Sequence, residues 1–226
     1  MDPAASLRIG CLVMAAGNAS SFGANKLAAE LDGRTLIERA LDAVPKGMFA
    51  AVCVASQYEG IEELAGKYGF AAIHNAHPDW GLSYTIRLGT QAMRVCDGIL
   101  YLVADQPLLR RDSVQRIAEA WLRTPEKIAG AFHEGRRGNP NLFPARFFPE
   151  LLALEGDCGG NLVIKRHTED YLPVELAPEE LRDCDTPQEL AALRRDTGQA
   201  AQTAADRKST RLNSSHPSRS RMPSSA

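Results

Sequence analysis

No apolar run in the 226 residues approaches the roughly 20 needed to cross a bilayer. Met1 to Arg8 lacks the charged-then-apolar pattern of a secretory signal, so the expected location is cytoplasmic. Cysteine is scarce and unpatterned: Cys11, Cys53, Cys96, Cys158 and Cys184 are odd in number and far apart. There is no CxxC pair and no His/Cys cluster, which leaves neither a disulfide framework nor a zinc site. Cys11 and Cys53 fall inside apolar runs and read as reduced core thiols. What is present is ordinary, with 44% hydrophobic and 24% charged residues, the balance of a soluble globular chain of one domain.

The net charge of -2 conceals an asymmetry. Of the 26 basic and 28 acidic residues, five basic ones and a single acid follow position 205, leaving residues 1–205 at about -6. An acidic body argues against nucleic acid as a partner. The stretch 198–226 is basic and serine-rich, without hydrophobic period. It is expected to be a disordered tail outside a domain spanning 1–197.

Apolar strand-like runs alternate with helical spacing. Strands are expected at 9–14, 50–55, 70–74, 98–104, 127–133 and 139–143. Helices are expected at 35–44, 57–67, 83–94, 112–122, 159–166 and 186–193, with Asp112 as an N-cap. Gly135–Gly138 reads as a hairpin turn. This alternation argues for an α/β sandwich with a mainly parallel sheet. Such sheets bind ligands at the carboxyl ends of strands. The candidate loops there are Ala15–Lys26 and Asp105–Arg111, expected on one edge.

The first loop runs Ala15-Ala16-Gly17-Asn18 to Gly23-Ala24-Asn25-Lys26. Small residues let a phosphate chain approach bare N–H groups, and a lysine then meets its charge. The spacing is neither GxxxxGK[ST] nor GxGxxG, and a plain strand-to-helix connection also explains it. Ala104-Asp105-Gln106-Pro107 puts an acid at a strand end, a common Mg²⁺ position, though a turn-forming aspartate has the same look. In Asp183-Cys184-Asp185-Thr186-Pro187-Gln188-Glu189, Thr186, Pro187 and Glu189 make a capping box with proline at the first helical position. That leaves Asp183 and Asp185 without a local reason. His77-Pro78-Asp79-Trp80-Gly81-Leu82-Ser83-Tyr84-Thr85 opens a helix whose hydroxyls and N–H groups suit either an anion or simple capping. Gly135–Phe143 and Leu154–Asn161 read as turns with polar heads.

In this order the motifs AAG, FGxNKL, HPxWGLSxT, DQP, RGNPxLF, GDxGG and DxDTPxEL, from about residue 8 to 195, resemble the nucleotidyltransferases of molybdenum cofactor biosynthesis. The nearest likeness is to the cytidylyltransferase-like group. That likeness implies the closer form of the fold, a Rossmann-like three-layer sandwich with a mainly parallel, mixed sheet. The resemblance implies transfer of CMP from CTP to the terminal phosphate of molybdopterin, with pyrophosphate released and Mg²⁺ as cofactor. It implies Ala15, Ala16, Gly17, Asn18, Gly23 and Lys26 on the nucleotide, Lys26 and Asp105 in catalysis, and Asp105 and Asp185 on the metal. Trp80, Gly81, Ser83, Thr85, Arg137, Asn139 and Asn141 would line the acceptor side. A molybdenum hydroxylase or its maturation chaperone is the implied protein partner. AAG, where guanylyl-transferring relatives carry AGG, implies CTP over GTP.

The chain departs from the family loop AAGxSxRFG, with Ala19 at the serine and Ser21 at the arginine position. Ala104 also stands where glycine is usual. A charge-assisted contact is worth about 1.5–3 kcal/mol, so its loss costs roughly ten- to a hundred-fold. Arg34 and Arg87 are the conceivable replacements. Two alternatives follow: a degenerate homologue that holds nucleotide or cofactor for delivery, and a transferase for another phosphorylated acceptor such as a sugar phosphate. The HPxWG and RGNP segments argue against the second.

Overall fold

The computed structural model describes residues 7–17 and 25–198. The central strand β1 (Ile9–Ala15) is buried along its whole length. It can be apolar on both faces because it pairs in parallel with β4 (Ala51–Ser56) on one side and β6 (Gly98–Val103) on the other. A strand covered on both faces reads as a continuous hydrophobic run, as this one does. Between β1 and β4 lie the two-residue strands β2 (Glu30–Leu31) and β3 (Arg34–Thr35), which form their own small ladder, and α1 (Leu36–Asp42). Thr35 and Glu38 cap α1 reciprocally.

After β4 come α2 (Glu59–Lys67), β5 (Ala71–His74) and α3 (Leu82–Ala92). After β6 come α4 (Arg111–Arg123), β7 (Ile128–His133), β8 (Arg136–Pro144), α5 (Phe148–Leu152), α6 (Asn161–Arg166) and β9 (Tyr171–Glu175). A last helix, α7, runs over 187–198. The seven-stranded sheet has the order β5-β4-β1-β6-β8-β7-β9. Strand β8 is antiparallel to both its neighbours, and the other pairings are parallel. The fold class is therefore the expected mixed, mainly parallel α/β sheet.

The pleat of β1 divides the core. Cys11, Val13 and Ala15 face one layer with Leu41 of α1, Ile117 and Trp121 of α4 and Leu193 of α7. Leu12 and Met14 face the other, with Ile86 of α3, Leu151 of α5 and Ile164 of α6. This is the period-two alternation of a strand. Helix α3 lies so close to β1 that a Cβ at Gly89 would overlap the Leu12 side chain. All five cysteines are free thiols, as the sequence suggests. Among the described residues no helix is long and apolar enough to cross a membrane.

Two local expectations are corrected. Asp112 is not the N-cap of α4; Arg110 is, and Asp112 sits inside the first turn. The Arg110 N–H is taken instead by the buried Glu180 carboxylate at 3.0 Å. The β7–β8 turn is not Gly135–Gly138. It is closed by Glu134 and Gly135, at φ 43° and 85°, with His133 paired to Arg136. Two consecutive left-handed residues match the twist of a hairpin, so Arg136, Arg137 and Gly138 belong to β8.

Candidate active site

The loops after β1 and β6 open on the same edge of the sheet, as their parallel pairing requires. The Ala104 N–H donates to the Met14 carbonyl at 3.1 Å and fastens them together. A cleft of about 560 Å³ lies between them, lined by Ala16, Gly17, Lys26, Asp105, Asp185 and Thr85 among others. Its far wall is the segment before α3 together with Asp157.

Lys26 begins a short 3₁₀ turn, Lys26–Ala28, which Asn25 caps by accepting the Leu27 N–H at 3.0 Å. That turn holds the lysine stem against the core and aims the ammonium into the cleft floor. Lys26 Nζ donates to Asp105 Oδ2 at 2.8 Å and to Asp185 Oδ1 at 2.6 Å. Burial works against the ammonium, but the two carboxylates outweigh it and the Lys26 pKa is raised. Burial also raises the pKa of Asp183. Its hydrogen bond from Gln106 opposes that rise, and the nearby Asp105 and Asp185 charges reinforce it.

Asp105 is held at the end of β6, and its carbonyl accepts the Cys184 N–H at 2.9 Å. Asp185 precedes α7. There Glu189 accepts the Thr186 N–H at 2.9 Å while Thr186 Oγ1 accepts the Glu189 N–H at 3.2 Å, the capping box read from the sequence. Glu189 also accepts the Asp185 N–H at 2.7 Å.

The donor set suits a divalent cation. Two carboxylate oxygens from different loops converge on one point where a positive charge already sits. Asp185 is 59% exposed, which leaves access for water and phosphate oxygens, the usual remaining ligands of Mg²⁺. Charge favours the same conclusion. Asp79, Asp105, Asp157 and Asp185 line the cleft, and Lys26 is its one cation among the described residues. A polyphosphate therefore enters favourably only with added positive charge. A second acid-rich group, His167, Glu169 and Asp170, is not part of this cleft, and Asp170 is paired to Arg146 at 2.8 Å and Lys127 at 3.4 Å.

Other expected site residues lie at varying depth. Ala15 is buried beneath the cleft, with its carbonyl accepting from Ser56 Oγ at 3.2 Å. The Ala16 carbonyl accepts from Gln57 Nε2 at 3.1 Å. Asn18 and Gly23, with Ala19 and Ser21, fall outside the described residues. Gly81 and Thr85 line the cleft, whereas Trp80 stacks on His77 at 4.1 Å and stands half-exposed. Ser83 is buried with no partner for its hydroxyl. Asn139 and Asn141 line an adjoining cavity of about 230 Å³ that shares Met14, Leu82 and Val103 with the cleft. Arg137 lies over the Tyr171 ring, 5.7 Å from its centre, and lines neither space.

The N–H groups opening α3 are not open to an anion. Leu82 N–H donates to Asp157 Oδ1 and Ser83 N–H to the Gly156 carbonyl, each at 3.3 Å. The 156–157 loop reaches them because Gly81, at φ 81°, has no side chain; a Cβ there would lie 2.6 Å from the Gly156 oxygen. Asp157 was legible only as part of a turn, because nothing local in GDCGG says that it caps a helix 75 residues earlier. Neither Arg34 nor Arg87, the conceivable stand-ins for the arginine absent at position 21, lines the cleft. Arg34 pairs with Asp42 at 2.6 Å beside a separate groove, and Arg87 lies over the Tyr84 ring at 5.4 Å.

Residues 11–171 match the family model of the MobA-like NTP transferase domain. No curated protein matches the sequence. Solved structures do match. A nucleotidyl transferase from Methanothermobacter thermautotroptrophicus is 21% identical, with TM-score 0.69 over 85% of this chain and 99% of its own. Rv0371C from Mycobacterium tuberculosis, in complex with manganese, is 18% identical, with TM-score 0.68 over 83% and 98%. CMP:2-keto-3-deoxy-manno-octonic acid synthetase complexed with CTP is 13% identical, with TM-score 0.69 over 85% and 99%. At these identities the likeness is one of fold.

Proposed function

The chain belongs to the MobA-like NTP transferase domain family and is a nucleotidyltransferase. On that premise we propose that it transfers CMP from CTP to the terminal phosphate of molybdopterin and releases pyrophosphate. The observation that carries the reading is the convergence of Asp105 and Asp185 on Lys26 at 2.8 and 2.6 Å, at the carboxyl edge of β1 and β6. The choice of CTP rests on Ala15-Ala16-Gly17 and accords with a cytidylyl-transferring structural neighbour that holds CTP. The choice of molybdopterin rests on the HPDWGLSYT and RGNPNLF segments. A molybdenum hydroxylase or its maturation chaperone is the protein partner this chemistry implies, and the cytoplasm its location.

In the proposed reaction, an oxygen of the acceptor phosphate bonds to the α-phosphorus of CTP. The bond from that phosphorus to the β-phosphate bridging oxygen breaks, and pyrophosphate departs with the electron pair. The attacking oxygen is already anionic, so no side chain needs to remove a proton. The difficulty is to bring an anionic phosphate up to a tetra-anionic triphosphate, and positioning plus charge stabilisation meets it. Asp105 and Asp185 would hold Mg²⁺, which when bound neutralises phosphate charge and fixes the triphosphate's orientation. Lys26, released from the two carboxylates once they hold the metal, would supply a cation to the triphosphate and to the charge that develops on the leaving group. Gly17 gives the nucleotide close approach to backbone at the end of β1. Thr85 faces the cleft from the first turns of α3, with its Oγ1 fixed by Asn75 Nδ2 at 3.1 Å. Asn139 and Asn141 lie where an acceptor passing beyond Met14 and Leu82 would be held.

The test is pyrophosphate release across a panel of CTP, GTP, ATP and UTP, each with molybdopterin and with sugar phosphates, in Mg²⁺ and in EDTA. Release confined to CTP, molybdopterin and Mg²⁺ supports the reading. Equal release with a sugar phosphate removes the acceptor assignment.

A further inference from the structure

The carboxylates that meet at Lys26 come from loops far apart in sequence, 104–110 after β6 and 182–186 before α7. These loops are laced together by more than the lysine. Cys184 N–H donates to the Asp105 carbonyl at 2.9 Å. Gln106, the next residue along, sends its Nε2 to Asp183 Oδ1 at 3.0 Å and towards the Leu181 carbonyl at 3.4 Å. Residues 105 and 106 are thus clamped against 181, 183 and 184.

Gln106 is only 3% exposed and does not line the cleft. A buried amide costs free energy unless its hydrogen bonds are made. Here the Nε2 hydrogens go to the other loop and Oε1 has no partner. An apolar residue of similar size would fill the space without that cost. The retained bond joins the neighbour of one carboxylate to the near neighbour of the other.

We propose that Gln106 is a positioning residue: through Asp183 it fixes Asp105 and Asp185 at the separation a shared divalent cation requires. The inference rests on the reading of Asp105 and Asp185 as the metal-bearing pair. Gln106 touches neither metal nor nucleotide in this account. It acts as outer-shell partners do, by holding the groups that ligate.

The experiment measures free Mn²⁺ by its paramagnetic resonance signal, with full-length protein and CTP and no acceptor. Gln106→Met and Asp183→Ala are each expected to weaken Mn²⁺ binding roughly 10- to 100-fold, the usual effect of losing an outer-shell partner. The double variant is expected to be no weaker than either single one, because both remove the same bond. Asp183→Asn keeps the acceptor oxygen and is expected to keep most of the affinity. At excess Mn²⁺, Gln106→Met is expected to bind as many ions per chain as the wild type, which a misfolded fraction would not allow.

Unchanged Mn²⁺ affinity in both single variants overturns the proposal. So do losses that add in the double variant, or an Asp183→Asn loss as large as that of Asp183→Ala, which would make the effect one of charge. If Gln106→Met does not fold, the two Asp183 variants decide by the same criteria. Absence of Mn²⁺ binding by the wild type with CTP overturns the metal reading itself and this inference with it, and so is distinct from a failure confined to the variants.

Discussion

Lys26 donates to Asp185 at 2.6 Å across 159 residues of sequence, and the same nitrogen reaches Asp105 at 2.8 Å. The ammonium therefore occupies the point where two carboxylates from different loops converge. A divalent cation reaches that point only by displacing it. In the proposed function a triphosphate would ease the exchange, because the lysine would find new anionic partners. Metal and nucleotide should accordingly bind as one unit.

Lys26→Met is expected to bind Mn²⁺ more tightly than the wild type when nucleotide is absent, and CTP more weakly. Loss of a charge-assisted contact of about 1.5–3 kcal/mol corresponds to roughly ten- to a hundred-fold in CTP affinity. Calorimetric titration with Mn²⁺ alone, then with CTP, separates the two effects. Weaker Mn²⁺ binding by the variant would contradict the exchange. The raised Lys26 pKa means that its contribution is fully present below the ordinary lysine value of 10.5 and is lost only as pH rises beyond it.

Gly81→Ala is expected to destabilise the fold and open the cleft. The residue sits at φ 81°, and its Cβ would lie 2.6 Å from Gly156 O and 2.7 Å from Asp157 N. Strain of about 1–3 kcal/mol lowers Tm by several degrees in a chain of this size. It also pushes the loop off the α3 N-terminus. Thermal melting checks the first effect, and proteolysis at 155–160 the second.

Stability in acid should follow Glu38. The Thr35 backbone N–H and hydroxyl donate to its carboxylate and lower its pKa from the ordinary 4.5. A carboxylate with a lowered native pKa stabilises above its unfolded value, and that stability is lost as pH falls through the native one. Below about pH 4.5 the wild type should lose part of its margin. Glu38→Gln should lose its share at neutral pH and show a flatter acid limb. Denaturant unfolding between pH 3 and 7 measures both; parallel limbs would remove Glu38 from the account.

What was legible in the sequence was what is local. The apolar runs of β1 and β6 and the Thr186–Glu189 capping box each depend on neighbours within a few residues. Asp183 and Asp185 were visible as residues without a local reason, and Asp105 as an acid at a strand end that a turn also explains. The rest depends on chain distance. Glu180 caps α4 from 70 residues away and displaces Asp112 from that role. Asp157 caps α3, which closes the N–H groups that local sequence offered to an anion. Strand β9 and helix α5 went unforeseen because they are short, and β9 is only half-buried at the sheet edge. Arg34 and Arg87 could be placed only by packing, which turns both away from the cleft.

The proposed function stands or falls with Asp105 as a metal-bearing residue of a cytidylyl-transfer site. The most direct measurement compares wild type and Asp105→Asn for product formation and pyrophosphate release from CTP, molybdopterin and Mg²⁺, by ³¹P NMR and mass spectrometry. A cytidylylated acceptor and one pyrophosphate per product are expected in the wild type, and a loss on the order of 10³-fold in the variant with the fold intact by circular dichroism. Undiminished turnover by Asp105→Asn would contradict it.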